Sequence, residues 1–283
     1  MTQPQRDEVE ITIATNATVL TIAGSDPSGG AGLQADLKTF QQLGCYGMSV
    51  VTLLTVQNTE GVDRVEVMPV DIVQQQMDAV LGDIPPRIIK TGALGNAEMI
   101  RAVAEKLRSE PAPVVVDPVL VSKHGQRLAG EDSIEAYRDE LLPLANVFTP
   151  NRYEAEALLG CKLETLQEMA DAAAKLQALG PQFVVLKAGE IDGHRHHMVA
   201  SGDEEVIGLS MEPIESKHTH GAGCVLSAAI AGRLALTMDD ELDSELFDQV
   251  LRFATAAVHH AIEFAPELGH GIGPVETRII PGV

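Results

Sequence analysis

An α/β fold built on a mostly parallel sheet is what this sequence predicts, and three observations carry the prediction. Short β-rich runs alternate with longer segments of helical period, the pattern of repeated βαβ units. Polar motifs follow directly after the strand-like runs, where ligands sit in open parallel sheets. No internal repeat, low-complexity tract or linker interrupts the pattern, so the chain reads as one domain, 17–283, behind a mobile N-terminal tail, 1–16.

The elements follow in order. Residues 19–23 read as the first strand, ending in the Gly- and Ser-rich turn 24–32. Leu33, Leu37, Phe40 and Leu43 then recur at helical spacing. An apolar strand at 48–56, a helix at 72–81 and a short strand at 87–91 come next. A helix near 96–108, a strand at 114–117, a helix near 133–142 and a strand at 146–149 follow. Helices near 152–159 and 166–179 lead to a strand at 183–187. Residues 196–211 read as an antiparallel hairpin turning at Ser201-Gly202-Asp203, and two Ala-rich helices, 221–236 and 246–264, close the chain.

Composition narrows the partners. Of the 283 residues 45% are hydrophobic but only 3% aromatic, with no Trp, so the core must rest on Val, Leu, Ile, Ala and Met. A net charge of −21 argues against nucleic acid or an anionic membrane, because phosphates are repelled at long range. A nucleotide site on such a chain must gather positive potential locally, through Lys, backbone N–H groups or a metal. Cys45, Cys161 and Cys224 are far apart and odd in number, so neither a disulfide framework nor a zinc site is indicated. No apolar run approaches the roughly 20 residues of a membrane span, and residues 1–16 lack the apolar segment of a signal peptide. The expected location is the cytoplasm.

The strongest local signal is Thr219-His220-Gly221-Ala222-Gly223-Cys224, which runs straight into an Ala-rich helix. Two glycines let the backbone aim its N–H groups at one point, and the helix N-terminus adds partial positive charge, which suits a phosphate in transfer. Cys224 falls in the first turn, where a thiolate is favoured and a proton can be taken from an attacking hydroxyl; alternatively it is a small buried hydrophobe. Asn151 and Glu154 form a capping-box pattern, or they face the magnesium and phosphates of a nucleotide. The turn 24–32 lacks the Gly-Lys-Ser/Thr of a P-loop, so it reads as a flexible turn over a substrate pocket. Asp36 lies on the polar side of its helical stripe, the position of a solvated carboxylate. Lys187 ends a strand, either at phosphates or at the surface. Gln57 has the donor and acceptor to pair with an aminopyrimidine edge, or belongs to the turn with Asn58 and Thr59. His194, His196 and His197 lack a third metal ligand and read as an exposed hairpin; His259 and His260 are discounted similarly.

Taken together, these segments resemble the hydroxymethylpyrimidine/phosphomethylpyrimidine kinases of the thiamine pathway, over about 19–275. The resemblance rests on the opening from Thr21 to Gly32, on Gln34-Ala35-Asp36-Leu37-Lys38-Thr39-Phe40, on Tyr46-Gly47-Met48-Ser49-Val50 and on Gln57-Asn58-Thr59. It continues through Val116-Asp117-Pro118-Val119, Thr149-Pro150-Asn151 with Glu154, Thr219-His220-Gly221 and Gly271-Ile272-Gly273-Pro274-Val275. It implies a ribokinase-like three-layer α/β/α fold with a small or absent lid. It also implies ATP with magnesium, and two successive phosphorylations of one pyrimidine. By the same resemblance, Gly24, Asp36, Gln57 and Val119 line the pyrimidine pocket. Asn151, Glu154, Lys187, Thr219, Gly221 and Gly223 serve the nucleotide, Asp117 and Glu154 the metal, and the 221–224 loop with Cys224, including Ala222, the chemistry. Cys224 stands where sugar kinases and most vitamin B6 kinases carry Asp. Departures from the family pattern are Ala222, His218, Ala188-Gly189-Glu190 after Lys187, and Ala93, where Met is common. Two other readings stand beside this one, a vitamin B6 kinase on the same fold and a non-catalytic pyrimidine sensor. A homodimer is expected through the stretch 46–67, whose apolar strand is otherwise an interior one.

Overall fold

The computed structural model describes residues 17–120, 131–202, 206–239 and 241–278. The expected tail, 1–16, and Asp203 of the expected turn lie outside the described residues. Nine strands form a single sheet among the described residues: β1 (Thr18–Ser25), β2 (Tyr46–Gln57), β3 (Val62–Val67), β4 (Ile88–Thr91), β5 (Val114–Val116), β6 (Val147–Phe148), β7 (Phe183–Ile191), β8 (His194–Ser201) and β9 (Ile207–Met211). Their order is β3-β2-β1-β4-β5-β6-β7-β8-β9. Pairing is parallel from β2 through β1, β4, β5 and β6 to β7. It turns antiparallel at both edges, through β3 on one side and β8 with β9 on the other.

The helices are α1 (Gly32–Gln42), α2 (Val70–Leu81), α3 (Ala97–Leu107), α4 (Glu131–Ala136), α5 (Arg152–Leu159), α6 (Leu166–Gln177), α7 (Ala222–Thr237) and α8 (Ser244–Glu263). They cover both faces of the sheet. Leu20, Ile22, Ile89, Val116 and Val184 pack on one side against residues of α2 through α6. Val19, Ile88, Val115, Val147 and Val185 face the other side, against α1, α7 and α8. Strands buried on both faces read as unbroken apolar runs, as these do, and each such side chain contributes about 1.5–3 kcal/mol by leaving water. The three layers match the expected architecture, and the small lid corresponds to the β2–β3 hairpin.

α7 is the most enclosed of the described helices. Ten of its 16 residues are buried, mostly Ala and other small side chains. An added Cβ at Gly232 would come within 2.7 Å of Leu43 Cδ1, so the loop after α1 presses directly on the helix backbone.

Several boundaries differ from expectation for identifiable reasons. β7 runs past Lys187 to Ile191 because a register shift between Lys187 and Gly189 bends it, with Gly189 at φ 86°. The hairpin expected at 196–211 begins at His194 and also pairs with β7, making three antiparallel strands. The helix expected near 133–142 stops as α-helix at Ala136 and continues as a π turn, Tyr137–Leu141, and a 3-10 turn, Leu142–Leu144. Pro143 has no N–H to extend the α ladder. The stretch 46–67 does lie at the sheet edge: it holds β2 and β3, with β3 outermost and covering β2 along its second half.

Candidate active site

The carboxyl ends of the parallel strands open into a cavity of about 1060 Å³. Its walls carry Gly24 from β1, Lys90 from β4, Asp117 after β5, Asn151 after β6 and Lys187 from β7. Parallel strands deliver their following loops to one rim, which is why residues so distant in sequence meet there. Of the residues singled out from the sequence, Gly24, Gln57, Asp117, Val119, Asn151, Glu154, Lys187, Thr219, Gly221, Ala222, Gly223 and Cys224 all border this cavity. Asp36 does not.

One end of the cavity is the loop entering α7. Gly221 sits at φ 85°, in the left-handed region. A Cβ there would also collide with the Gly30 carbonyl, so any residue but glycine is doubly disfavoured. Cys224 follows in the first helical turn, half-buried. The expected thiolate is not favoured: burial pushes the thiol up to about 11, with Asp36 and Asp117 adding to the rise. Lys90 and a hydrogen bond from the Gly32 N–H oppose the rise without cancelling it. Burial outweighs the helix terminus here.

Beside the loop lies a charged cluster. Asp117 Oδ1 accepts from Lys187 Nζ at 3.1 Å and from Thr149 Oγ1 at 3.2 Å, while its Oδ2 accepts from Ser227 Oγ at 3.0 Å. Burial pushes the Glu154 carboxyl up to about 7, with Lys187 opposing and Asp117 adding. Burial lowers the Lys187 ammonium, but Asp117 and Glu154 more than offset this and raise it, so it stays charged. The capping box at α5 is formed as well: Glu154 N donates to Asn151 Oδ1 at 3.0 Å, and Asn151 N donates to Glu154 Oε2 at 2.8 Å. The capping-box reading therefore holds, and both residues also border the cavity. No cluster of three or more metal-ligating side chains occurs among the described residues. Two buried carboxylates without a third still fit magnesium, which takes one or two carboxylates and completes its shell with substrate phosphates and water.

At the opposite end, Gly24 packs against Leu53, where a Cβ would collide with Leu53 Cδ1, and lies near Ala93. Gln57 and Val62 of the hairpin close over this end. Asp36 departs from expectation in two ways. It is neither solvated nor on the cavity wall: it is fully buried between α1 and the sheet, accepting from Thr21 Oγ1 at 2.6 Å and from Lys90 Nζ at 2.6 and 2.7 Å. Its polar position on α1 faces strand residues that are themselves polar. Burial raises the Asp36 carboxyl, opposed by the Lys90 charge. Burial lowers Lys90, but the charges of Asp36, Cys224 and Asp117 raise it further, so the ammonium persists. Lys90, which borders the cavity, stands between Asp36 and any ligand.

Four residues escaped the reading of the sequence. Lys90 lay in a short apolar strand, and a lysine in such a run is itself a sign of a buried partner. Asp26 is 1% exposed and accepts from the Ser28, Gly30 and Ala31 backbone, from Ser28 Oγ and from His220. His220 stands just before the phosphate loop. His197 is buried rather than exposed and borders the cavity; its burial face matches that of Val199, two residues on. Alternation along the strand was the available signal.

The fold that carries this cavity is shared with known kinases. The fold matches pyridoxal kinase from Staphylococcus aureus in complex with ADP, with a TM-score of 0.83 and 35% identity, over 92% of this chain and 93% of that one. The chain is a kinase of the ribokinase-like α/β class. The sequence model of the phosphomethylpyrimidine kinase family matches residues 26–276. Hydroxymethylpyrimidine/phosphomethylpyrimidine kinase from Streptomyces coelicolor is 42% identical over 258 residues, covering 91% of this chain and 93% of the relative. Phosphomethylpyrimidine kinase from Clostridium difficile superposes with a TM-score of 0.72 at 39% identity, over 85% of this chain and 99% of that one. The chain belongs to the phosphomethylpyrimidine kinase family.

Proposed function

We propose that this kinase transfers the γ-phosphoryl group of ATP to hydroxymethylpyrimidine and then to its monophosphate, giving the diphosphate used in thiamine synthesis. The observation that carries the reading is Cys224. It stands on the helix-borne phosphate loop, in a cavity whose other end is the Gly24–Gln57 wall. Gly24, Gln57 and Val119 hold the pyrimidine, with Asp36 acting through Lys90. Cys224 carries its proton near neutral pH and orients the attacking hydroxymethyl group by a hydrogen bond. A loose, metaphosphate-like transition state makes little demand on a strong base. Backbone N–H groups of Gly221, Ala222 and Gly223 receive the developing charge, and Lys187 neutralises more of it. Asn151 and Thr219 complete the nucleotide side. Asp117 and Glu154 would hold magnesium, which when bound neutralises charge on the phosphates. One kinase domain, 17–283, acting in the cytoplasm as a homodimer completes the proposal; no helix among the described residues is long and apolar enough to cross a membrane.

ADP release dependent on added hydroxymethylpyrimidine, followed by release dependent on its monophosphate, tests this directly. No pyrimidine-dependent turnover would leave the binding-only sensor. A second reading is favoured by the likeness to pyridoxal kinase and by small Ala93 beside Gly24: phosphorylation of pyridoxal. Higher catalytic efficiency with pyridoxal than with the pyrimidine would make it the primary activity.

A further inference from the structure

Three segments meet at His220. Its backbone N–H donates to Gly273 O at 3.0 Å, and its carbonyl accepts from Val275 N at 3.0 Å, pinning the 273–275 segment beside the phosphate loop. Its ring packs on Gly30, where an added Cβ would come within 2.6 Å of His220 Cδ2. The ring Nε2 lies 2.8 Å from Asp26 Oδ2.

Asp26 in turn organises the Gly-rich turn after β1. Its Oδ1 accepts from Ser28 N at 2.8 Å and Ser28 Oγ at 2.7 Å, and its Oδ2 accepts from Ala31 N at 2.8 Å and Gly30 N at 3.2 Å. Burial acts to raise this carboxyl, but the hydrogen bonds from His220 and Ser28 outweigh it and hold it below the usual range. Asp26 is therefore the acceptor and His220 the donor. The turn continues into Gly32, the first residue of α1. On the other side of the pair, Gly221 lies in backbone contact with Gly30. The glycine turn and the 221–224 loop are thus tied together through Asp26 and His220.

We infer that His220 and Asp26 are positioning residues, a clasp that holds the glycine turn against the 221–224 loop and so fixes that loop, with Cys224, at the phosphoryl group. This rests on the kinase reading above and extends it to two residues that do not themselves carry the chemistry. The pair borders the cavity but sits outside the charged cluster around Asp117. As a clasp it acts on the placement of the 221–224 loop, so its loss falls on the transition state. A displacement of roughly 1 Å at a reacting centre lowers turnover about 100-fold.

The test compares His220→Leu, His220→Gln and wild type in steady-state ADP release with hydroxymethylpyrimidine, with melting temperatures measured alongside. Leu keeps bulk and removes the donor; Gln places an amide N–H near the Nε2 position. Expected is a kcat about 100-fold lower for His220→Leu, with KM for ATP and for the pyrimidine within about threefold of wild type. His220→Gln returns kcat to within about tenfold of wild type. Wild-type kcat in His220→Leu overturns the inference, as does an equal loss in both variants at unchanged KM. Should His220→Leu not fold, His220→Gln decides alone: near-wild-type kcat supports the clasp, and a 100-fold loss with unaltered melting overturns it. The ratio of variant to wild-type kcat reports on the clasp, while the wild type's own turnover reports on the function.

Discussion

Replacing Lys90 by Met removes the cation from a carboxylate with no exposed surface. In the intact protein both members of the Lys90–Asp36 pair are 0% exposed, and Thr21 Oγ1 supplies the other recorded donor to Asp36. Removing one partner of a buried pair costs about 3–5 kcal/mol, because the other is left uncompensated. At roughly 2–4 °C per kcal/mol for a chain of this size, the melting temperature should fall by about 10–15 °C. The loss carries a pH signature. Burial already raises the Asp36 carboxyl, and without Lys90 the chief opposing influence is gone. A carboxyl whose folded pKa lies above its unfolded value binds its proton more tightly when folded, so stability falls as pH rises beyond the unfolded value of about 4. Lys90→Met should therefore be least impaired at pH 5 and most impaired at pH 8. The double variant Asp36→Leu/Lys90→Met replaces the pair with apolar groups and should recover most of the melting temperature. Calorimetry of the three proteins at both pH values decides the matter. A single variant that melts like wild type, or a double variant that melts as low as the single, refutes the reasoning.

Other outcomes follow from the same structure. Cys224→Ala should lower kcat by about 100-fold with ATP binding retained in calorimetry, since a misplacement of roughly 1 Å of the attacking hydroxyl costs that much; wild-type turnover would remove the role. With its thiol near 11, Cys224 should be alkylated by iodoacetamide about ten times faster per pH unit from 7 to 10. Peptide mapping would separate it from exposed Cys161, and fast alkylation at pH 7 would contradict the assigned environment. Burial, with Lys187 nearby, lowers His197 to about 4. Its folded value lies below the unfolded one, so stability is lost as pH falls from about 6.5 to about 4, by about 3 kcal/mol. His197→Gln should melt with that much less acid sensitivity, and an unchanged profile would show the imidazole charges freely. Light scattering should give a dimer mass at both low and moderate salt, held by apolar contact around exposed Leu54 and Val56; a monomer at micromolar protein in both rejects it.

Strand positions were legible because a sheet buried on both faces writes each strand as an apolar run, and the long helices because their period survives along α6 and α8. The site was legible wherever a polar residue followed a strand: Asp117, Asn151 and Lys187 each sit at a strand's carboxyl end, where topology alone brings them together. What failed were properties set by three-dimensional neighbours. Asp36 has the helical spacing of a surface residue, and nothing local shows that Lys90, 54 positions away, faces it. Cys224 occupies the turn that lowers thiol pKa elsewhere, but the burial that reverses the effect, helped by Asp36 and Asp117, is set by elements distant in sequence. His197 was judged by its neighbours at a turn, though its place along β8 turns it inward. The sheet edge, by contrast, was legible in the stretch 46–67, although β3 is short and charged, with Asp63, Arg64 and Glu66 on six residues.

Helix α7 carries the phosphate loop at one end while its length is wrapped by α1, α8 and the sheet. Such a mounting divides the chain into parts that evolution can alter and parts that it cannot. Enlarging Ala228, Ala229 or Gly232 would tilt the helix as a lever and swing the loop, so small residues several turns from the chemistry should tolerate change as poorly as Gly221. The walls facing α7 are free of that restriction. Substrate preference can drift through the β2–β3 hairpin, through Ala93 and through β9 while the transfer machinery stays in place. That separation gives a physical reason why pyrimidine and pyridoxal kinases share this scaffold.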